Sequence, residues 1–136
     1  MDIIIISSID WSTQWQMHHQ LSMSLINSGN RVLFIENTGI RSPKIKDATR
    51  IINRIRSWYL STKGFRSEHD NLFIYSPLIF PFPQSIFFTW INFFILNRSL
   101  KYWSKALNFH EDVIISFLPS LLSQKLIKKV FIDPFF

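Results

Sequence analysis

The stretch from Ser7 to Leu21, SSIDWSTQWQMHHQL, gathers the side chains best suited to chemistry. It holds one carboxylate (Asp10), two indoles (Trp11 and Trp15), amides at Gln14 and Gln16, and adjacent imidazoles at His18 and His19. Indoles supply flat apolar surface with a single N–H donor. Carboxylates and amides hydrogen-bond hydroxyl groups, and an imidazole gives or takes a proton near neutral pH. Such a set suits a sugar ring, which has apolar faces and a hydroxyl edge. Asp10 and His19 are therefore the candidate catalytic residues, with the histidine as general base or hydrogen-bond donor. Trp11, Gln14, Trp15 and His18 are candidates for binding. The same residue types also allow a plainer role, in which the indoles plug the top of a sheet and Asp10 caps a helix. His19 shares a helix face with Trp15, Met23 and Ile26, so it too fits as a packed residue.

Several chemistries lose support. No glycine lies between Ser7 and Leu21, so this turn lacks the residue that lets a backbone approach a pyrophosphate. Neither GxSxG nor a Walker loop occurs. Neighbouring histidines on a helix point about 100° apart, His69 and His110 are remote in sequence, and no HExxH spacing occurs, so no metal site is expected. The chain has no cysteine, which excludes disulfides and thiolate ligands and fits a reducing compartment.

The elements that would position these residues alternate between strand and helix. Ile3–Ser7 is a β-branched run, apolar enough for a strand buried on both faces. Trp15–Ser28 has helical spacing and is ended by Gly29. Arg31–Asn37 is a second strand, completing a βαβ unit. After the loop TGIRSPK, Asp47 is the N-cap of a helix to about Leu60, with Ile51, Ile52, Ile55, Trp58 and Tyr59 as its apolar stripe. STKGFRSEHD reads as a polar connection, Asn71–Pro77 as a third strand, and LIFPFPQ as an extended loop. A long helix follows from Ser85 to about Phe109, then a fourth strand, Asp112–Leu118. Pro119 opens a short helix to about Ile127, and KVFIDPFF begins a fifth strand. The expectation is an α/β Rossmann-like layered fold with a mainly parallel sheet of about five strands, order 3-2-1-4-5. Ligands of such sheets bind at the carboxyl ends of the strands near the switch point, where the Ser7–Trp15 turn and the Phe117–Ser120 turn would face each other. If strand five is the last, Val130–Ile132 and the terminal phenylalanines form an exposed apolar edge prone to self-association.

Apolar residues make up 47 % of the 136-residue chain, enough for a real core, and the formal charge is +6. That charge favours anionic partners. Nucleic acid is set aside because no recognised nucleic-acid-binding motif accompanies the charge. The region Arg41–Arg66 is rich in Lys and Arg, and Arg50, Arg54 and Arg56 form the polar face of its helix. That face is either solvated or lies on an anionic membrane, which motivates an alternative reading as a non-catalytic membrane-surface or scaffold module. The apolar run Ser85–Leu96 is shorter than the roughly 20 residues a spanning helix needs. The start MDIIIISS has no basic segment of a secretory signal. The expected location is cytoplasmic, peripheral at the inner face of the cell membrane.

Several strings taken together resemble the amino-terminal half of bacterial glycosyltransferases of the two-domain GT-B fold, family 1/4-like. They are SSIDW, WQMHHQL, GNRVLFIENTGIRSP, DATRIINRI, NLFIYSPLIFPFP, Ile91-Asn92 and IISFLPS. The resemblance runs over nearly the whole chain. It implies an enzyme of cell-surface polysaccharide or lipid-linked glycan assembly, whose amino-terminal domain binds the acceptor. The matching positions Glu36, Asn37, Arg41 and Pro119 then join Trp11, Gln14, Trp15 and His18 as acceptor-binding residues. The domain itself would bind no cofactor. The nucleotide-sugar donor would sit on a carboxy-terminal domain that the 136 residues do not contain, so the chain reads as a single incomplete domain, inactive alone. VFIDPFF echoes the start of the family's fifth strand, with Asp133 in the place of its aspartate.

Overall fold

The computed structural model describes residues 1–12, 14–36, 52, 56, 64–80, 82, 85–110, 113–118 and 120–132, with the backbone alone over 129–132. The sheet is formed by β1 (Asp2–Ile6), β2 (Arg31–Ile35), β3 (Phe65–His69), β4 (Leu72–Tyr75) and β5 (Val113–Ser116). The helices are α1 (Met17–Asn27), α2 (Ile86–Leu107) and α3 (Leu121–Ile132). The strand order is β3-β4-β2-β1-β5. Pairs β1–β2, β1–β5 and β2–β4 are parallel, and β3–β4 is antiparallel.

The central strands are apolar on both faces because helices cover both. Ile4, Ile6, Leu33 and Ile35 pack against Leu96 and Leu100 of α2 and Leu122 and Leu126 of α3. The alternate residues Ile3, Ile5, Val32 and Phe34, with Leu72 and Ile74, meet Met23, Leu25 and Ile26 of α1. The continuous isoleucine run of β1 thus serves two cores at once.

The expected order holds for the four strands that sequence and structure share. The fifth strand differs. Val130, Phe131 and Ile132 are not a strand but the last turn of α3. Leu122 and Leu126 of that helix are buried one turn apart, and this spacing carries the helix through a β-prone segment. The expected apolar edge at 129–136 loses its basis, and Asp133–Phe136 lie outside the described residues. The fifth strand of the sheet is instead β3, which the sequence reads as a polar connection. It joins β4 through the two-residue turn Asp70–Asn71, and its outer residues are exposed.

Helix ends are defined by side chains. α1 starts after Gln16, slightly later than expected, and Gly29 ends it with φ +82°. At the start of α2, Ser85 Oγ accepts from the Phe88 N–H at 3.4 Å, and Asn108 closes the helix in the left-handed region. The buried Asn92 exchanges two hydrogen bonds with the Phe80 backbone, 2.8 and 3.1 Å, and so fixes the loop entering α2.

At the amino ends of the strands, Arg31 grips both carboxylate oxygens of Asp2, with Nε to Oδ1 at 2.7 Å. The same guanidinium donates to the Leu107 and Asn108 carbonyls at the end of α2, 3.0 and 2.7 Å. It also lies over the Phe109 ring. The His110 N–H adds a further bond to Asp2, 2.8 Å. Burial pushes the Asp2 carboxyl up. The Arg31 hydrogen bonds, the His110 N–H and the neighbouring positive charge outweigh that and hold it below the ordinary 3.8.

Candidate functional site

The register aligns one residue from each parallel strand at the opposite, carboxyl edge. Ile6 pairs with Ile35 and with Ser116, and Ile35 with Tyr75. The next residues, Ser7, Glu36, Ser76 and Phe117, therefore form a row across the sheet top. Their N–H groups extend the ladder: Ser7 to Ile35 O, Glu36 to Tyr75 O and Phe117 to Ile6 O. Three of the four bear polar side chains, and those side chains organise the turn above them.

Glu36 is the hub. Its Oε1 accepts the Trp11 backbone N–H at 2.7 Å and Arg66 Nη2 at 2.9 Å, and its Oε2 accepts the Ser76 hydroxyl. Arg66, on β3, also donates to Ser76 Oγ. Glu36 is buried. A buried carboxylate needs such a cation and such donors to remain charged. Expected as an acceptor contact, Glu36 is instead an internal tie that joins the β1–α1 turn to β2, β3 and β4.

The two histidines divide as their angular separation requires. His19 is fully buried. Its Nδ1 must accept, because the Gln16 backbone N–H donates to it at 3.0 Å; Nε2 then carries the proton and donates to Trp11 O at 3.0 Å. The ring stacks on Trp15, centroids 4.9 Å apart, and touches Trp11 and Phe34. Both nitrogens are committed and water is excluded. His19 therefore locks the turn and is not positioned to exchange protons with a ligand, which corrects its candidacy as general base. His18 is half-buried. Its Nδ1 lies 2.8 Å from Ser7 Oγ, and its ring stacks on Phe117 at 3.8 Å. Burial, then the adjacent His19, lowers its pKa below 6.5, so the neutral imidazole is favoured.

The remaining candidates sit around this core. Trp11 is half-buried, edge-on to Phe34 and to Trp15, and packs on the α1-side core. Trp15 is 55 % exposed. Gln14 is exposed and Asp10 half-buried in the same turn. Among the described residues every buried side-chain nitrogen or oxygen has a partner. Of the candidate residues, Trp15, Gln14, Asp10 and His18 keep surface open to solvent. No group of three His, Asp or Glu side chains suited to a metal forms among the described residues. Asn37, Arg41, Arg50, Arg54 and Pro119 lie outside the described residues. Arg56 is helical and exposed, as is Ile52 of the expected apolar stripe. No helix among the described residues is long and apolar enough to cross a membrane.

Ser7, Arg66, Ser76 and Phe117 were not singled out in the sequence. Three of them immediately follow a strand, and that position is the signal that marks them once the register is set. No family model, no curated protein and no solved structure matches the chain.

Proposed function

We propose that this domain holds a glycan acceptor at the carboxyl end of its sheet, as part of a GT-B-type glycosyltransferase of cell-surface polysaccharide or lipid-linked glycan assembly. One observation carries the reading: three backbone amides of the first turn are spent on side chains. Ile9 N–H goes to Ser7 Oγ at 3.0 Å, Trp11 N–H to Glu36 and Gln16 N–H to His19. A phosphate-cradling turn leaves such amides pointing at the ligand. This one offers instead an exposed indole backed by a stacked imidazole, with Gln14, Asp10 and His18 beside it. A sugar ring fits that combination: its apolar face lies on Trp15, and its hydroxyls meet the amide, the carboxylate and the neutral imidazole. In this reading the nucleotide-sugar donor is bound by a second domain, and the acceptor domain supplies position and not turnover.

The test is a titration of the full chain, followed by tryptophan emission, with oligosaccharides and separately with UDP-, GDP- and dTDP-sugars. Oligosaccharides are expected to change the emission of the parent and not of Trp15→Ala. Tight binding of a bare nucleoside diphosphate, unaffected by Trp15→Ala, would sink the reading.

A further inference from the structure

Among the described residues, the largest group of exposed apolar side chains lies on α2. Ile86, Phe87, Trp90 and Phe94 are 75, 69, 61 and 55 % exposed. Phe80 and Phe82, also exposed, lean on Phe88 at the same end. The buried side of the helix is Thr89, Asn92, Leu96 and Leu100, so these rings are not core residues displaced by poor packing. Arg98, Lys101 and Lys105, all exposed, continue the same stripe. At about 100° per residue, Phe87, Trp90, Phe94, Arg98, Lys101 and Lys105 fall within about 80° of one another. The first half of the stripe is aromatic and the second half cationic, and α2 contains no acidic residue.

We propose that this stripe docks the protein on an anionic lipid bilayer. Aromatic rings favour the boundary between headgroups and acyl chains. Long cationic side chains reach the lipid phosphates while their stems stay apolar. About 17 Å of helix separates the centres of the two halves, so the helix lies obliquely, with its aromatic end deeper. Charge complementarity selects lipid over a second copy of the chain, because a second copy would bring the same cations and no carboxylate from this helix to meet them. The apolar half is too short to span, which leaves surface binding.

The orientation has a consequence. The end of α2 meets Arg31 at the amino edge of the sheet, so the helix runs antiparallel to the parallel strands. Its aromatic start therefore lies at the carboxyl edge, the edge that carries Trp15 and His18. Docking brings that edge towards the bilayer. The docking itself does not depend on what Trp15 binds.

The experiment is co-sedimentation of the full chain with vesicles of phosphatidylcholine alone or mixed with phosphatidylglycerol. Binding is expected to need the anionic lipid and to weaken with salt. The variant Phe87→Ser, Trp90→Ser, Phe94→Ser is expected to lose it. Arg98→Gln with Lys105→Gln is expected to weaken it roughly 30-fold, at about fivefold per surface cation. All five positions are exposed, and circular dichroism checks that each variant folds. Brominated acyl chains provide an independent readout: they should quench the parent more than Trp90→Phe. Absence of binding, or binding that survives both sets of substitutions, overturns the proposal. So does a parent that is oligomeric and becomes monomeric in the serine variant without change in vesicle binding, because a second copy then covers the stripe.

Discussion

The two ends of the sheet are built around the same device and put it to different use. Each has a buried carboxylate gripped by an arginine whose side chain is about one-third exposed: Asp2–Arg31 at the amino end and Glu36–Arg66 at the carboxyl end. At the amino end the arginine's remaining donors close the α2 carbonyls, and the surface is finished. At the carboxyl end the carboxylate holds up a turn, through the Trp11 N–H, and that turn presents Trp15 and His18. An ion pair that only closes a helix end needs no exposed aromatic beside it. One that positions an aromatic turn is the better place to look for a ligand.

The largest expected effect breaks both clamps alike. Arg31→Ala and Arg66→Ala each leave a buried carboxylate without its cation, which costs about 3 kcal/mol in comparable sites. Urea unfolding should show both losses, and only Arg66→Ala should also change tryptophan emission before unfolding. If Arg31→Ala disturbed the Trp11–Trp15 turn equally, the two ends would not be independent.

Acidification should separate the ends by pH. His18 has a lowered folded pKa, so its contribution is full above 6.5, where both states are neutral. It is lost as pH falls from 6.5 towards the folded value, because the unfolded chain takes up the proton first. Asp2 also has a lowered pKa, so its contribution is full above 3.8 and is lost only as pH falls through the still lower folded value. Protection of the Ser7 and Ile9 amides, taken relative to the intrinsic exchange rate at each pH, should therefore fall as pH drops below 6.5, while the Arg31–His110 contacts stay protected. Simultaneous loss at both ends would contradict this order.

The smallest effect on stability should accompany the largest on binding. Trp15 is more than half exposed, so Trp15→Ala should cost about 1 kcal/mol, the scale of its aromatic contacts. The same change should weaken glycan binding at least about tenfold, the loss of one aromatic platform. A thermal melt beside the emission titration separates the two.

Much of the fold was legible because it is written in burial. The β1 isoleucines, the Arg31–Ile35 strand and the long helix with its serine start all follow from apolar period and caps. β3 was not, because an exposed edge strand has little apolar pattern; only Phe65 and the tight Asp70–Asn71 turn announce it. Val130–Ile132 misled because local β-propensity is weaker than the helical spacing that begins at Leu122. The candidate site was legible in composition but not in roles. Adjacent histidines must face different ways, and nothing local says which one faces inward. Glu36 was visible as a polar residue at a strand end, yet its partners Arg66 and Ser76 come from strands whose register only the folded sheet sets.

The central claim is that the carboxyl-end turn recognises a sugar through Trp15 and not a phosphate through its backbone. It is tested most directly by assigning the five indole N–H resonances of the chain and titrating in an oligosaccharide, then a nucleoside diphosphate. The account predicts that the sugar moves the Trp15 indole together with Gln14 and His18, and that the nucleotide leaves the Ile9, Trp11 and Gln16 amides where they were. A nucleotide that shifts those three amides while the sugar leaves Trp15 unmoved would contradict it.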